Sequence, residues 1–336
     1  MQKSAITNDN DEFLNKIKEK YNSQKIVKFN HFFHLNEKEI FSIHNNYICT
    51  YIIQNTSLGN LYFALKHVSS GEGYIFDQEN NIYIKSHSQM ISKLIIDYKN
   101  NYIISCSFDK NINILDLSKI KNNTKNLAIL QGHKGRIYDM DLIINKDELL
   151  SCGMDKNILL WDIKNFLLIK KICLNSSIQN LMVRYLYINE DSDNNKSKEI
   201  IFIYSNNKMI NLIDMYNNEI IEKINISNSY GSILLLNNEE FIYQNKKPRV
   251  IKKYNFKHKK STDIFTGSKY EIQFIEKYEK THKIISYDKG SNIKIWNYIK
   301  KFCELTIKID FVLFCLFVDK NGKIFCGSIN KIYIYK

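Results

Sequence analysis

His133, Ser151 and Asp155 are the three side-chain types of a base, a nucleophile and an orienting acid, and Trp161 follows closely. In a hydrolase such a set removes the serine proton and attacks an acyl carbon. No G-x-S-x-G elbow surrounds Ser151, so no strained turn lifts its hydroxyl toward a substrate. His31-x-x-His34 is a second chemical pair. On a strand, residues i and i+3 point to opposite faces, and no cysteine pair or carboxylate–histidine motif supports a metal there. Neither G-x-x-x-x-G-K-[ST] nor G-x-G-x-x-G occurs, and Gly71-Glu72-Gly73 reads as a turn between strands. The expectation is a chain with no catalytic residue, no cofactor and no metal.

Polyanion binding is a further chemistry to weigh. Residues 246–260, KKPRVIKKYNFKHKK, hold eight Lys or Arg and no acid. Lys246, Lys247, Arg249, Lys252, Lys253, Lys257 and Lys259 are candidate nucleic-acid contacts, with Tyr254 and Phe256 interleaved among them. The formal net charge is +13, yet Arg136, Arg184 and Arg249 are the only arginines. Lysine-rich, arginine-poor charge suggests diffuse electrostatics rather than base reading. Part of it follows from a composition rich in Lys, Asn, Ile and Tyr. The bland alternative for the basic run is a solvated face.

The elements that position these residues come from an internal repeat. Residues 102–117 read YIISCSFDKNINILDL and residues 148–163 read ELLSCGMDKNILLWDI. Ser105 and Ser151, Cys106 and Cys152, Asp109 and Asp155, and Asp116 and Asp162 are each 46 residues apart. Gly132-His133 precedes the second copy, and Trp296 closes a similar strand in NIKIWN. Period-2 apolar alternation places strands near 47–54, 91–97, 137–143, 178–188, 232–236, 270–276 and 311–318, and the resemblance of the repeat to WD40 repeats implies that they are the innermost strands of seven propeller blades. Following strands fall at 61–67 and 73–77, 200–205 and 209–214, and 322–327 and 330–335. The last blade lacks a fourth strand, and an open edge invites aggregation. The expected closing strand is 26–33, IVKFNHFF.

The domain reading is therefore a flexible or short helical segment over 1–24 and a propeller over 25–336. In the first segment Phe13, Ile17 and Tyr21 share one helical face. Segment 189–199, NEDSDNNKSKE, reads as a polar loop. The seven cysteines contain no CxxC, and several sit in apolar runs, which predicts free thiols in a reducing compartment. The N-terminus shows no signal-peptide core. The longest apolar run, Phe311 to Val318, is far short of the ~20 residues that cross a bilayer. The expected location is intracellular, with the nucleus favoured over the cytoplasm, and no membrane partner.

Gly-His, a strand, Ser-x-x-x-Asp and Trp-Asp together resemble the WD40 repeat. The resemblance implies an all-β, seven-bladed WD40 β-propeller closed by an N-terminal strand. It also implies a structural role for His133, Ser151, Asp155 and Trp161: a buried hydrogen-bond network around a tight turn, as buried polar groups require. GHKGRIYDMDLIINKDELLSCGMDKNILLWDI, NNYICTYIIQNTSLGNLYFAL and the C-terminal FVLFCLFVDKNGKIFCGSINKIYIYK further resemble the WD40 subunit of polycomb repressive complexes, the extra-sex-combs family. Residues 166–226 have no counterpart in it, and its first blade is not recognisable before Tyr47.

That narrower likeness implies a scaffold subunit of a histone methyltransferase complex that reads a methylated histone peptide. Aromatic faces would hold the methylated lysine by cation–π contact. Tyr47 matches the family's tyrosine. Tyr270 lies near the family's aromatic pair, whose second position is Glu271 here, and a third wall would come from Phe29, Phe32 or Phe33. Arg136 and Tyr138 complete the candidate partner-binding residues. The leading expectation is thus a non-enzymatic scaffold for other protein subunits. The alternative is a WD40 partner of an RNA-modifying or ribosome-assembly complex that contacts RNA or DNA through the basic run. A propeller hydrolase has no convergent acid–base set to support it.

Overall fold

The computed structural model describes residues 38–43, 46–56, 58–121, 125–143, 146–174, 178–186, 198–205, 209–214, 218–225, 233–237, 239–245, 249–265, 269–278 and 282–335. They form seven four-stranded antiparallel sheets, the blades of a propeller. The innermost strands are Tyr47–Gln54, Ile91–Asp97, Ile137–Ile143, Ile178–Leu186, Ile233–Leu235, Ile272–Tyr278 and Cys315–Val318, in blades 1 to 7. Each matches a strand expected from the period-2 pattern, including those in the degenerate middle third.

The second and third strands of a blade have neighbours on both faces, so their sequences run nearly continuously apolar. In blade 3, Leu149, Leu150, Ile158, Leu159 and Trp161 are all buried. The core is accordingly a ring of clusters lying between blades. Ile75, Ile84 and Leu94 join blades 1 and 2, and Ile112, Met140 and Trp161 join blades 2 and 3. Ile172 with Ile213, Leu212 with Phe241, and Phe265 with Trp296 carry the contact onward. Cys49, Phe63, Cys315 and Phe325 join blade 7 back to blade 1.

Blade 7 is composite. Lys38–Ser42 pairs antiparallel with Lys331–Tyr335, from Lys38 opposite Tyr335 to Ser42 opposite Lys331. Closure by an N-terminal strand is therefore present, but the closing strand is 38–42 and not 26–33. The reason is geometric: the strand must lead into Tyr47 at the start of blade 1, which only a segment just before residue 47 can do. Its anchor is Phe41, stacked with Phe63 at 6.3 Å and Phe76 at 5.8 Å. Residues 26–33, the helix expected within 10–22, and 189–197 of the expected polar loop lie outside the described residues, while the loop's last two positions, Lys198 and Glu199, begin a strand.

A bulge recurs in the innermost strands. Pairing with the second strand slips between Cys49 and Tyr51, between Ile91 and Lys93, and between Ile137 and Asp139. The skipped residues are Thr50, Ser92 and Tyr138. A bulge re-aims the side chains around it, and here it turns the Thr50 and Ser92 hydroxyls onto backbone carbonyls of the next blade.

Candidate partner-binding face

The suspected triad is a buried strut between blades. His133, in the connection from blade 2 to blade 3, places Nδ1 2.9 Å from Asp155 Oδ2 and Nε2 2.8 Å from Ser151 Oγ. Trp161 Nε1 donates to the same Ser151 oxygen at 2.8 Å. Asp155 also accepts from the Lys134 amide at 2.9 Å. Burial raises the Asp155 pKa, but the His133 and Lys134 hydrogen bonds outweigh it and hold the carboxyl well below the usual range. Ser151 is fully buried, so its hydroxyl has no face open to a substrate.

Blade 2 repeats the strut. His87 Nδ1 lies 2.9 Å from Asp109 Oδ2 and Nε2 lies 2.9 Å from Ser105 Oγ. Sequence reading missed His87, although it too stands 46 residues before its counterpart, His133. Ser86 in place of the expected glycine hid the signature. Leu115 occupies the indole position and brings no N–H to satisfy. Blade 6 keeps the other half: Trp296 Nε1 donates to Ser286 Oγ at 2.7 Å. Gly290 stands where the aspartate would be, and the Tyr270 ring fills the space a Cβ would need there.

The bulged residues hand hydrogen bonds from blade to blade. Thr50 Oγ1 donates to Ile91 O at 3.0 Å, and Ser92 Oγ donates to Ile137 O at 2.8 Å. Inside the ring, Lys93 Nζ meets Asp139 at 2.7 Å. Desolvation lowers the Lys93 pKa, but Asp139 outweighs it and the net shift is upward. Glu276, facing the same space from blade 6, is pushed up to about 7 by burial, with Lys93 opposing.

Tyr138 breaks the hydroxyl series at its third member. Its ring instead meets Phe108 edge-on at 5.8 Å, and the Arg136 guanidinium lies over Phe108 at 5.1 Å. Met154, 55% exposed, is next to them: its amide donates to Arg136 O at 2.8 Å. Phe108 and Met154 occupy equivalent positions in the turns of blades 2 and 3, as do Lys110 and Lys156. Lys110, Lys134, Arg136 and Lys156 are exposed, and none has an ion-pair partner among the described residues. The nearby carboxylates of Asp109 and Asp155 are only 7% and 5% exposed and face His87 and His133. The struts therefore hide the acids and leave a cationic, aromatic and methionine surface. Sequence reading named Arg136 and Tyr138 but missed Phe108 and Met154.

The other candidates lie elsewhere. The Tyr47 ring sits between His67 at 5.1 Å, Tyr74 at 5.3 Å and Tyr83 at 5.7 Å, on blade 1. Tyr270 packs on Gly290 with Lys269 over its ring, and Glu271 pairs with Lys289 at 2.9 Å. In the basic run, Lys252 pairs with Asp263 at 3.3 Å, Lys253 with Glu240 at 2.6 Å, and Arg249 donates to Lys269 O. Tyr254 is buried and, with Phe256, packs on Phe241, so neither ring is a free stacking platform. Lys257 and Lys259 are exposed at a hairpin turn. Lys246, Lys247, His31 and His34 lie outside the described residues. Among the described residues there is no cluster of three His, Cys, Asp or Glu fit for a metal, and no helix long and apolar enough to cross a membrane.

A family model described as "WD domain, G-beta repeat" matches residues 79–116 and 124–162, the two segments that carry the complete His–Asp–Ser struts. Among solved structures, the WD40 β-propeller domain of Doa1 is 14% identical with a TM-score of 0.69, over 89% of this chain and 95% of that chain. U3-55K is 12% identical with a TM-score of 0.69, over 89% of this chain and 98% of that chain. No curated protein matches the chain. At these identities the likeness is one of fold.

Proposed function

We propose that this chain, a WD40-repeat β-propeller, is a non-enzymatic scaffold that docks another protein on the turns of blades 2 and 3. The observation that carries the reading is the Phe108–Arg136–Tyr138–Met154 cluster, in which Arg136 and Met154 are exposed and the two rings half-buried. Tyr, Met and Arg are enriched in the cores of protein interfaces, and Lys-dominated surfaces are not. WD40 propellers generally bind proteins, which favours the same class.

Two narrower readings have less support. A polycomb-type methyl-lysine reader would rest on Tyr47 and Tyr270, both already packed against their own blades. An RNA-holding blade at 246–260 would rest on Lys257 and Lys259, since Lys252 and Lys253 are paired and the interleaved rings face the core. The test is affinity capture from native extract with wild type and with a Tyr138→Ala/Met154→Lys variant. The reading expects a defined set of proteins on the wild type and its loss from a variant that melts normally. An unchanged set on the variant would move the docking face elsewhere.

A further inference from the structure

The composition of the cluster also restricts what it binds. We infer that its ligand is an acidic peptide segment carrying at least one apolar side chain, with a carboxylate seated on Arg136. The inference rests on the docking reading above and deepens it.

Three observations converge. Arg136 has its guanidinium carbon 5.1 Å over the Phe108 ring, a cation–π contact that restrains the fork while leaving it exposed. A planar fork held this way matches a carboxylate bidentately, and a lysine does not. Among the arginine side chains described, Arg249 is tied to a backbone carbonyl and Arg136 is exposed with its guanidinium over a ring.

Next, Lys110, Lys134 and Lys156 lie in the same turns and connection as Phe108, Arg136 and Met154, exposed and with no ion-pair partner among the described residues. Elsewhere on this face the charge is paired: Lys289 with Glu271 at 2.9 Å in blade 6, and Lys85 with Glu72 at 2.5 Å in blade 1. The local excess of cation follows from the two struts, because their histidines draw Asp109 and Asp155 inward. An unpaired cationic patch of this kind attracts and orients an anionic partner.

Finally, Met154 and the edge of Tyr138 add adaptable apolar contact beside the charge. A purely ionic ligand would leave this surface unused. A nucleic acid would use the cations but needs a stacking face, and the Phe108 face is already covered by Arg136.

The experiment is selection from a displayed library of random peptides of about 12 residues on the full chain, followed by anisotropy measurements on the enriched peptides. The account expects enrichment of Asp and Glu together with Leu, Phe or Met. It expects at least about tenfold weaker binding to Arg136→Gln, and also to Arg136→Lys, because a point charge cannot replace the fork. Binding should weaken as salt rises. Enriched peptides that are neutral or basic, yet lost on Met154→Lys, would sink the acidic ligand while leaving the docking face in place. Enriched peptides indifferent to Arg136, Tyr138 and Met154 would sink both. An oligouridine that binds more tightly than the peptides and depends on Arg136 would replace the inference with RNA.

Discussion

Blades 2 and 3 and blades 6 and 7 solve one problem, holding neighbouring sheets in a ring, with different chemistry. Between blades 2 and 3 the joint is polar: His133 spans to Asp155 and Ser151 in a fully satisfied network. In blade 6 the network is cut to Ser286 and Trp296, and the Tyr270 ring on Gly290 fills the vacated corner. The seam between blades 7 and 1 uses strand closure, the buried thiols of Cys49 and Cys315 at 3.6 Å, and apolar packing around Gly327. The difference shows that the strut can lose its histidine–aspartate half, as in blade 6, or its indole, as in blade 2, while the blade stays paired. Where the indole is lost, Leu115 replaces it, and Asn113 Oδ1 on the same strand is buried with no hydrogen-bond partner among the described residues.

The largest expected effect is at the seam. Deleting residues 1–42 removes the strand that pairs with Lys331–Tyr335 and bares that strand's backbone edge. Insoluble protein is the expected result, whereas a deletion ending at residue 35 retains the strand. Solubility and a cooperative melt of the two truncations decide this, and a well-behaved 43–336 fragment would show that packing alone closes the ring.

Asp155→Ala comes next. It orphans His133 Nδ1 and the Lys134 amide, for a loss of about 1–3 kcal/mol by urea unfolding. Ser286→Ala strands one indole N–H, for roughly 1 kcal/mol. Equal losses would mean that the polar joint carries no more than its degenerate counterpart.

These contrasts also explain what the sequence made legible. Seven innermost strands could be placed because a half-buried strand must alternate and a fully buried one must stay apolar. The blade 3 network could be placed because all four of its residues survive there. The closing strand was misplaced because KEIFS is short and charged, as edge strands tend to be, while IVKFNHFF looks more like a strand. Phe108 and Met154 were missed because their exposure depends on how a turn sits against the neighbouring connection. One signal was available: Tyr138 stands at the position that is Ser92 one repeat earlier.

The smallest effect concerns pH. Glu276 has a folded pKa of about 7, raised by burial and opposed by Lys93. A raised carboxyl favours the folded state fully below its unfolded pKa of about 4.5, and that contribution is lost as pH rises through 7. Glu276→Gln should therefore gain stability relative to wild type across this window, by about 1 kcal/mol after discount for solvent screening of the half-buried Glu276. A difference independent of pH would place the carboxylate in water.

The central claim separates residues that hold the blades from residues that bind. It is tested most directly by measuring unfolding midpoint and partner capture side by side for Asp155→Ala and Arg136→Glu. The account predicts that Asp155→Ala melts earlier while its folded fraction still binds, and that Arg136→Glu melts like wild type but loses the partner. The reverse pattern, normal melting with lost binding for Asp155→Ala and intact binding for Arg136→Glu, would contradict it.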